Sequence, residues 1–155
     1  MHLKDQEENR MEEKNTFDTI HVIEKAKQKE PVEKSLENSK QLDTVSEIIK
    51  AKLGDMKLDD LAYEIGISYA AISKIVTEEI QPRRNVLLAI AFVLKMQVEE
   101  VQQLLKSGKH ATLTSSDPRD IVIIHGKVEN MELAEINKVL IQHGLKPLTS
   151  DIRSF

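Results

Sequence analysis

Leu58 to Ile75 reads LDDLAYEIGISYAAISKI, and its spacing decides the fold. Leu61, Ala62 and Ile65 stand at i, i+1 and i+4, which places them on one face of a short first helix. Gly66 follows where the chain must leave that helix and reverse. Without a Cβ it enters the αL conformation at little cost. Ile72 and Ile75, three apart, give a second helix a single inward face. Ala62 is small enough to let the two helices cross closely. Ser68 stands just before the second helix, where its hydroxyl can accept from exposed backbone N–H groups.

The string Leu61-Ala62, Ile65-Gly66-Ile67-Ser68, Ile72 and Ile75, followed by Pro82 and an apolar helix, resembles the DNA-binding core of the lambda-repressor/Cro-like (XRE-type) helix-turn-helix regulators. The likeness runs from about Gln41 to Gly108. It implies an all-α fold: a five-helix bundle of the lambda-repressor type, with residues 69–77 as the recognition helix.

The flanking sequence extends the pattern. Val45, Ile48, Ile49 and Leu53 recur at i, i+3, i+4 and i+8, a helix with one buried stripe that ends at Gly54. Pro82 fixes the entry to the next helix. That helix, Arg83 to Lys95, is apolar on nearly all sides after its first turn, as the centre of a bundle should be. Val98, Val101, Leu104 and Leu105 predict a fifth helix, closed by Gly108. Further on, Asp117-Pro118-Arg119-Asp120 has the form of a helix start, with Asp at the cap, Pro in the first turn and an acid two residues later. The run Ile121-Val122-Ile123-Ile124 favours a strand by propensity. The cap, and the absence of a visible partner strand, favour a helix. Leu133, Ile136, Val139 and Leu140 define a last helix, ended by Gly144 and Pro147. The expected organisation is therefore a polar, largely flexible extension over 1–40, the helix-turn-helix domain over 41–108, and a C-terminal helical hairpin over 109–155. The hairpin is the expected site of dimerisation or partner binding. The stretches ATLTSSDPRDIVIIHG and INKVLIQHGLKPL look similar to an appendage behind the helix-turn-helix in many short bacterial regulators of this type.

The extension carries eight basic and ten acidic side chains, a mix that stays solvated. Within it FDTIHVI, residues 17–23, can form a short docking helix, and Pro31 interrupts any longer one. The chain has no cysteine, which excludes disulfides and thiolate metal sites and agrees with a reducing cytoplasm. Its N-terminus lacks the apolar core of a secretory signal. Its longest apolar run, Val86 to Leu94, is far short of a membrane span.

Catalytic chemistry finds no foothold. No pair of the histidines at 2, 21, 110, 125 and 143 has the i, i+4 spacing of a helical metal site. The glycines all sit near helix ends, so there is no phosphate-cradling loop. Aromatic residues make up 3%, too few to stack single-stranded bases. No enzyme activity, cofactor or metal is expected.

The resemblance instead points to double-stranded DNA, read by the second helix in the major groove. On this sequence the outward positions are Ser68, Tyr69, Ala70, Ser73, Lys74 and Thr77. Lys74 suits a guanine edge or a phosphate; Tyr69 and Ala70 suit a thymine methyl. Arg83 and Arg84 stand at a helix start, where the macrodipole disfavours cations, so something else must reward them. Phosphates would, as would Glu78 or Glu79. Lys57 is a weaker phosphate candidate. From Gln41 to Lys109 there are nine basic and ten acidic side chains, a net charge of −1. Affinity for DNA rests largely on neutralised phosphates, so one copy should bind weakly and a homodimer is expected. The same balance supports a second reading, a protein-interaction module that keeps the fold as an antitoxin-like or regulatory partner.

Overall fold

A computed structural model describes residues 43–150 of the chain. The expectations for residues 1–40, including the helix at 17–23, lie outside the described residues. Among the described residues there are seven helices and no strand: α1 (Val45–Leu53), α2 (Leu58–Ile65), α3 (Tyr69–Val76), α4 (Arg84–Val93), α5 (Val98–Ser107), α6 (Pro118–Val128) and α7 (Leu133–Gln142). All seven belong to one compact body. Within Thr114–Asp117, the Ser116 N–H donates to Thr114 Oγ1 at 3.2 Å.

α4 is the axis of the body. Its residues Leu87 to Phe92 are all buried, six in succession, so no face of this helix meets water over nearly two turns. A helix apolar all round needs neighbours on every side. α2, α5 and α7 supply them, while α1 packs on α3 and α5, and α2 packs on α3.

The expected five-helix bundle with an added hairpin undercounts the core. α6 and α7 share it: Ile123, Leu133, Ile136 and Leu140 lie in the same apolar cluster as Ile49, Leu61 and Ile72. Two features of α6 make this possible. Gly126 brings the helix so close that a Cβ there would fall 2.5 Å from Ile136 Cδ1 and 3.4 Å from Phe92 Cζ. Asp120 is buried and reaches α4, where it receives the Arg84 guanidinium. The run Ile121–Ile124 is thus helical. Pro118 opens the helix at the first position, where a missing N–H is harmless. Beyond α7, the chain is tied down by two side chains. Asn137 accepts the Leu148 N–H at 2.7 Å, and Arg119 donates to the carbonyls of Lys146 and Pro147.

α6 also buries Lys127, whose Nζ donates to the Ala91 carbonyl at 3.2 Å and lies 4.7 Å from the Phe92 ring centroid. Burial pulls this amine down to about 8, against the opposing fields of Glu100 and Glu132. Glu100 itself is held below the usual carboxylate range, chiefly by its hydrogen bond with Lys52.

No helix among the described residues is long and apolar enough to cross a membrane.

Candidate nucleic-acid interface

The turn between α2 and α3 is built as its sequence dictates. Gly66 adopts φ 87°, ψ 29°, and its N–H donates to the carbonyls of Ala62 and Tyr63. The Ile67 N–H also reaches Ala62, at 3.1 Å. These bonds satisfy carbonyls that the end of α2 leaves open, and they set the angle at which the chain turns. Ser68 then caps α3, its hydroxyl accepting from the Ala71 N–H at 3.1 Å. The hydroxyl proton is left to donate outward.

α3 is divided cleanly into two faces. Ile72, Ile75 and Val76 are buried. Ser68, Tyr69, Ala70, Lys74 and Thr77 are exposed, and Ser73 is half-buried. Tyr69 keeps 55% of its surface in water. Thr77 ends the helix, and its hydroxyl turns back to the Ser73 carbonyl at 2.9 Å. Its methyl and lone pairs, rather than its donor, are what it offers outward.

The far end of α3 is anchored by a residue that periodicity does not mark. Ser46 on α1 is buried and donates its hydroxyl to the Val76 carbonyl. A helix end leaves its last carbonyls open, and a buried one needs a donor. Ser46 therefore fixes α3 at its C-terminus while Ser68 fixes it at the N-terminus. Ser46 lies between Val45 and Ile48 in an apolar stripe, where a small polar residue carries no visible sign of its task.

The two arginines part company. Arg83 is exposed at the N-cap of α4, and Lys57 is exposed at the N-cap of α2. Arg84 is turned inward. Its Nη1 and Nη2 meet both Asp120 oxygens at 3.1 and 3.0 Å, and its Nε donates to the Ala111 carbonyl at 2.9 Å. The reward that a cation at this helix start demands is a buried carboxylate. It is neither a phosphate nor Glu78 nor Glu79, and Arg84 leaves the set of residues open to DNA. His110, beside this anchor in sequence, has Nε2 2.8 Å from the carbonyl of the buried Pro82, which pins the loop carrying Arg83. His110 carries no local signal, and the sequence marks Asp120 only as an acid in the first turn of α6; each acts on a residue about thirty positions earlier in the chain.

The electrostatics are mixed. Lys57, Lys74 and Arg83 are exposed, but so are Asp59, Asp60 and Glu64 on α2 and Glu78 and Glu79 after α3. Among the described residues no group of His, Asp or Glu side chains could hold a metal ion.

The family model of the Cro/C1-type HTH DNA-binding domain matches residues 44–104. No curated protein and no solved structure gives a significant match. Within that span α2 and α3 are hinged at an αL glycine and the outer face of α3 stays open, and residues 44–104 are similar to the Cro/C1-type HTH DNA-binding domain.

Proposed function

We infer that the chain is a sequence-specific transcription regulator that lays α3 in the major groove of duplex DNA and acts as two copies on two half-sites. The observation that carries this reading is the two-sided α3, pinned at both ends while Ser68, Tyr69, Ala70 and Lys74 stay open to solvent. Lys74 and Ala70 contact base edges, Tyr69 a thymine methyl or a phosphate, and Ser73 and Thr77 border the groove. Arg83 and Lys57 contact phosphate. With Arg84 used internally, three cations per copy remain. Arg83 and Lys57 neutralise two phosphates per copy, each contributing about −0.9 to the dependence of log K on log salt, so the slope should be about −2 for one copy and about −4 for two.

Selection from a random duplex pool, followed by titration at several salt concentrations, tests this. An inverted repeat should emerge. Lys74→Ala should weaken binding roughly tenfold and relax one position of the site; Arg83→Ala should weaken all duplexes alike and lower the slope by about one. Equal, feeble binding of every duplex would refute the reading.

The exposed carboxylates of α2 favour a second reading, a protein-interaction module of antitoxin-like or regulatory type that keeps the fold and uses residues 109–155 toward its partner. A stable protein partner that purifies with the chain, with no duplex retained, decides for it.

A further inference from the structure

Residues 84–115 recur 35 positions later as residues 119–150. Arg84 returns as Arg119, Met96 as Met131, Glu100 as Glu135, Leu105 as Leu140, and Leu113-Thr114-Ser115 as Leu148-Thr149-Ser150. The backbone repeats with them. Lys95 and Asn130 take φ 54° and 56°, and Lys109 and Gly144 take 59° and 71°. The Met96 N–H donates to the Ala91 carbonyl and the Met131 N–H to the Gly126 carbonyl, each at 2.9 Å. The ties between side chain and loop repeat too. Gln102 accepts the Leu113 N–H and Asn137 the Leu148 N–H, each at 2.7 Å. Arg84 holds the carbonyls of Ala111 and Thr112, and Arg119 those of Lys146 and Pro147. α4–α5 and α6–α7 are thus two units of one design, in which a first-turn arginine clamps the loop that follows the second helix.

Each unit serves as a control for the other. What both carry, the design needs in order to fold; what only one carries answers to its own surroundings. His110 is such a residue, because its counterpart is Leu145. The backbone there is the same in both: the His110 N–H donates to the Leu105 carbonyl at 2.9 Å and the Leu145 N–H to the Leu140 carbonyl at 2.8 Å. The design therefore closes without an imidazole. The one at His110 is half-buried, with Nε2 2.8 Å from the Pro82 carbonyl. A carbonyl only accepts, so Nε2 donates. Its target immediately precedes Arg83, which has no counterpart either, since Pro118 stands in its place. On the other side of Arg83, Arg84 is held by Asp120. Arg83 is therefore fastened through both neighbours while its own side chain stays exposed. We propose that His110 is a positioning residue for DNA: it fixes the Pro82–Arg83 corner, so that the Arg83 guanidinium meets a phosphate without paying to order the backbone beneath it. Without the imidazole the Pro82 carbonyl loses this donor and turns toward water, carrying Arg83 with it. This rests on the DNA-binding reading above.

Fluorescence-anisotropy titration of the full chain, with the duplex recovered by selection and with an unrelated duplex of equal length, tests it at several salt concentrations. His110→Leu installs the residue of the second unit. It should weaken binding of both duplexes by about eightfold per copy at 0.1 M salt, the worth of one phosphate contact, and lower the salt slope as much as Arg83→Ala does. Added to Arg83→Ala it should cost less than about twofold more, whereas added to Lys74→Ala it should keep its full effect. A domain that was merely loosened would lose affinity whether or not Arg83 was present. His110→Gln, whose amide can donate to the same carbonyl, should stay within about threefold of wild type. If circular dichroism shows that His110→Leu does not fold, His110→Asn, polar but shorter, must give the same loss. A full salt slope in these variants, or full additivity with Arg83→Ala, overturns the proposal and leaves DNA binding standing. A wild type that binds neither duplex overturns the DNA-binding reading, and this proposal with it.

Discussion

Lys127→Met should make the protein more stable, and the gain should vanish with rising pH. Lys127 is 8% exposed, and burial pulls its amine down to about 8 from an ordinary 10.5. A gap of that size corresponds to about 3 kcal/mol held against the charged form. The sign follows from proton counts. Between pH 8 and 10.5 the unfolded chain binds more protons at this residue than the folded one, so stability rises with pH across that window. Below pH 8 both states are charged and the full penalty applies. Met keeps most of the volume and the polarisable contact with Phe92 but loses the bond to the Ala91 carbonyl. That carbonyl still accepts from the Met96 N–H at 2.9 Å and is not orphaned. The net gain at pH 7 should be roughly 1–3 kcal/mol. Urea unfolding followed by far-UV circular dichroism at pH 7, 8, 9 and 10 measures it. A variant less stable than wild type at pH 7, or a gain that grows with pH, would show that the amine is not strained by burial.

Two further substitutions probe the join between α4 and α6. Asp120→Ala leaves Arg84 half-buried without its carboxylate and should lower stability by about 2–4 kcal/mol, whereas Arg84→Met/Asp120→Leu should cost less than Asp120→Ala alone; urea midpoints decide, and a double variant as damaged as the single one contradicts the pairing. Gly126→Ala forces the Ile136 Cδ1 to move and should destabilise by about 1–2 kcal/mol despite the better helix propensity of Ala, and Ile136→Val in the same chain should restore most of it in thermal melts.

The turn at Gly66 and the inward row of α3 were legible because both depend on neighbours within four positions. The same holds for α4, whose apolar run leaves a buried axis as its only use. Arg84 was not legible. The rule that a cation at a helix start needs a reward was sound, but its reward lies 36 residues away on α6, beyond any local pattern. α6 defeated periodicity more completely. A reading that turns every charge outward misplaces two of its residues, because Asp120 has a half-buried partner on α4 and Lys127 a buried acceptor there. Ser46 and His110 escaped for a similar reason: each serves a backbone carbonyl, and carbonyls have no sequence.

The carboxylate that holds Arg84 has a consequence for where this protein can be cut. Family likeness stops at residue 104, yet the guanidinium two residues beyond Pro82 finds its counter-ion at residue 120. A fragment trimmed to the recognisable segment would strand a cation at the mouth of its own central rod, next to the loop that presents Arg83. The smallest piece that behaves like the whole must run past Asp120, so evolutionary kinship and mechanical self-sufficiency end at different places along this chain.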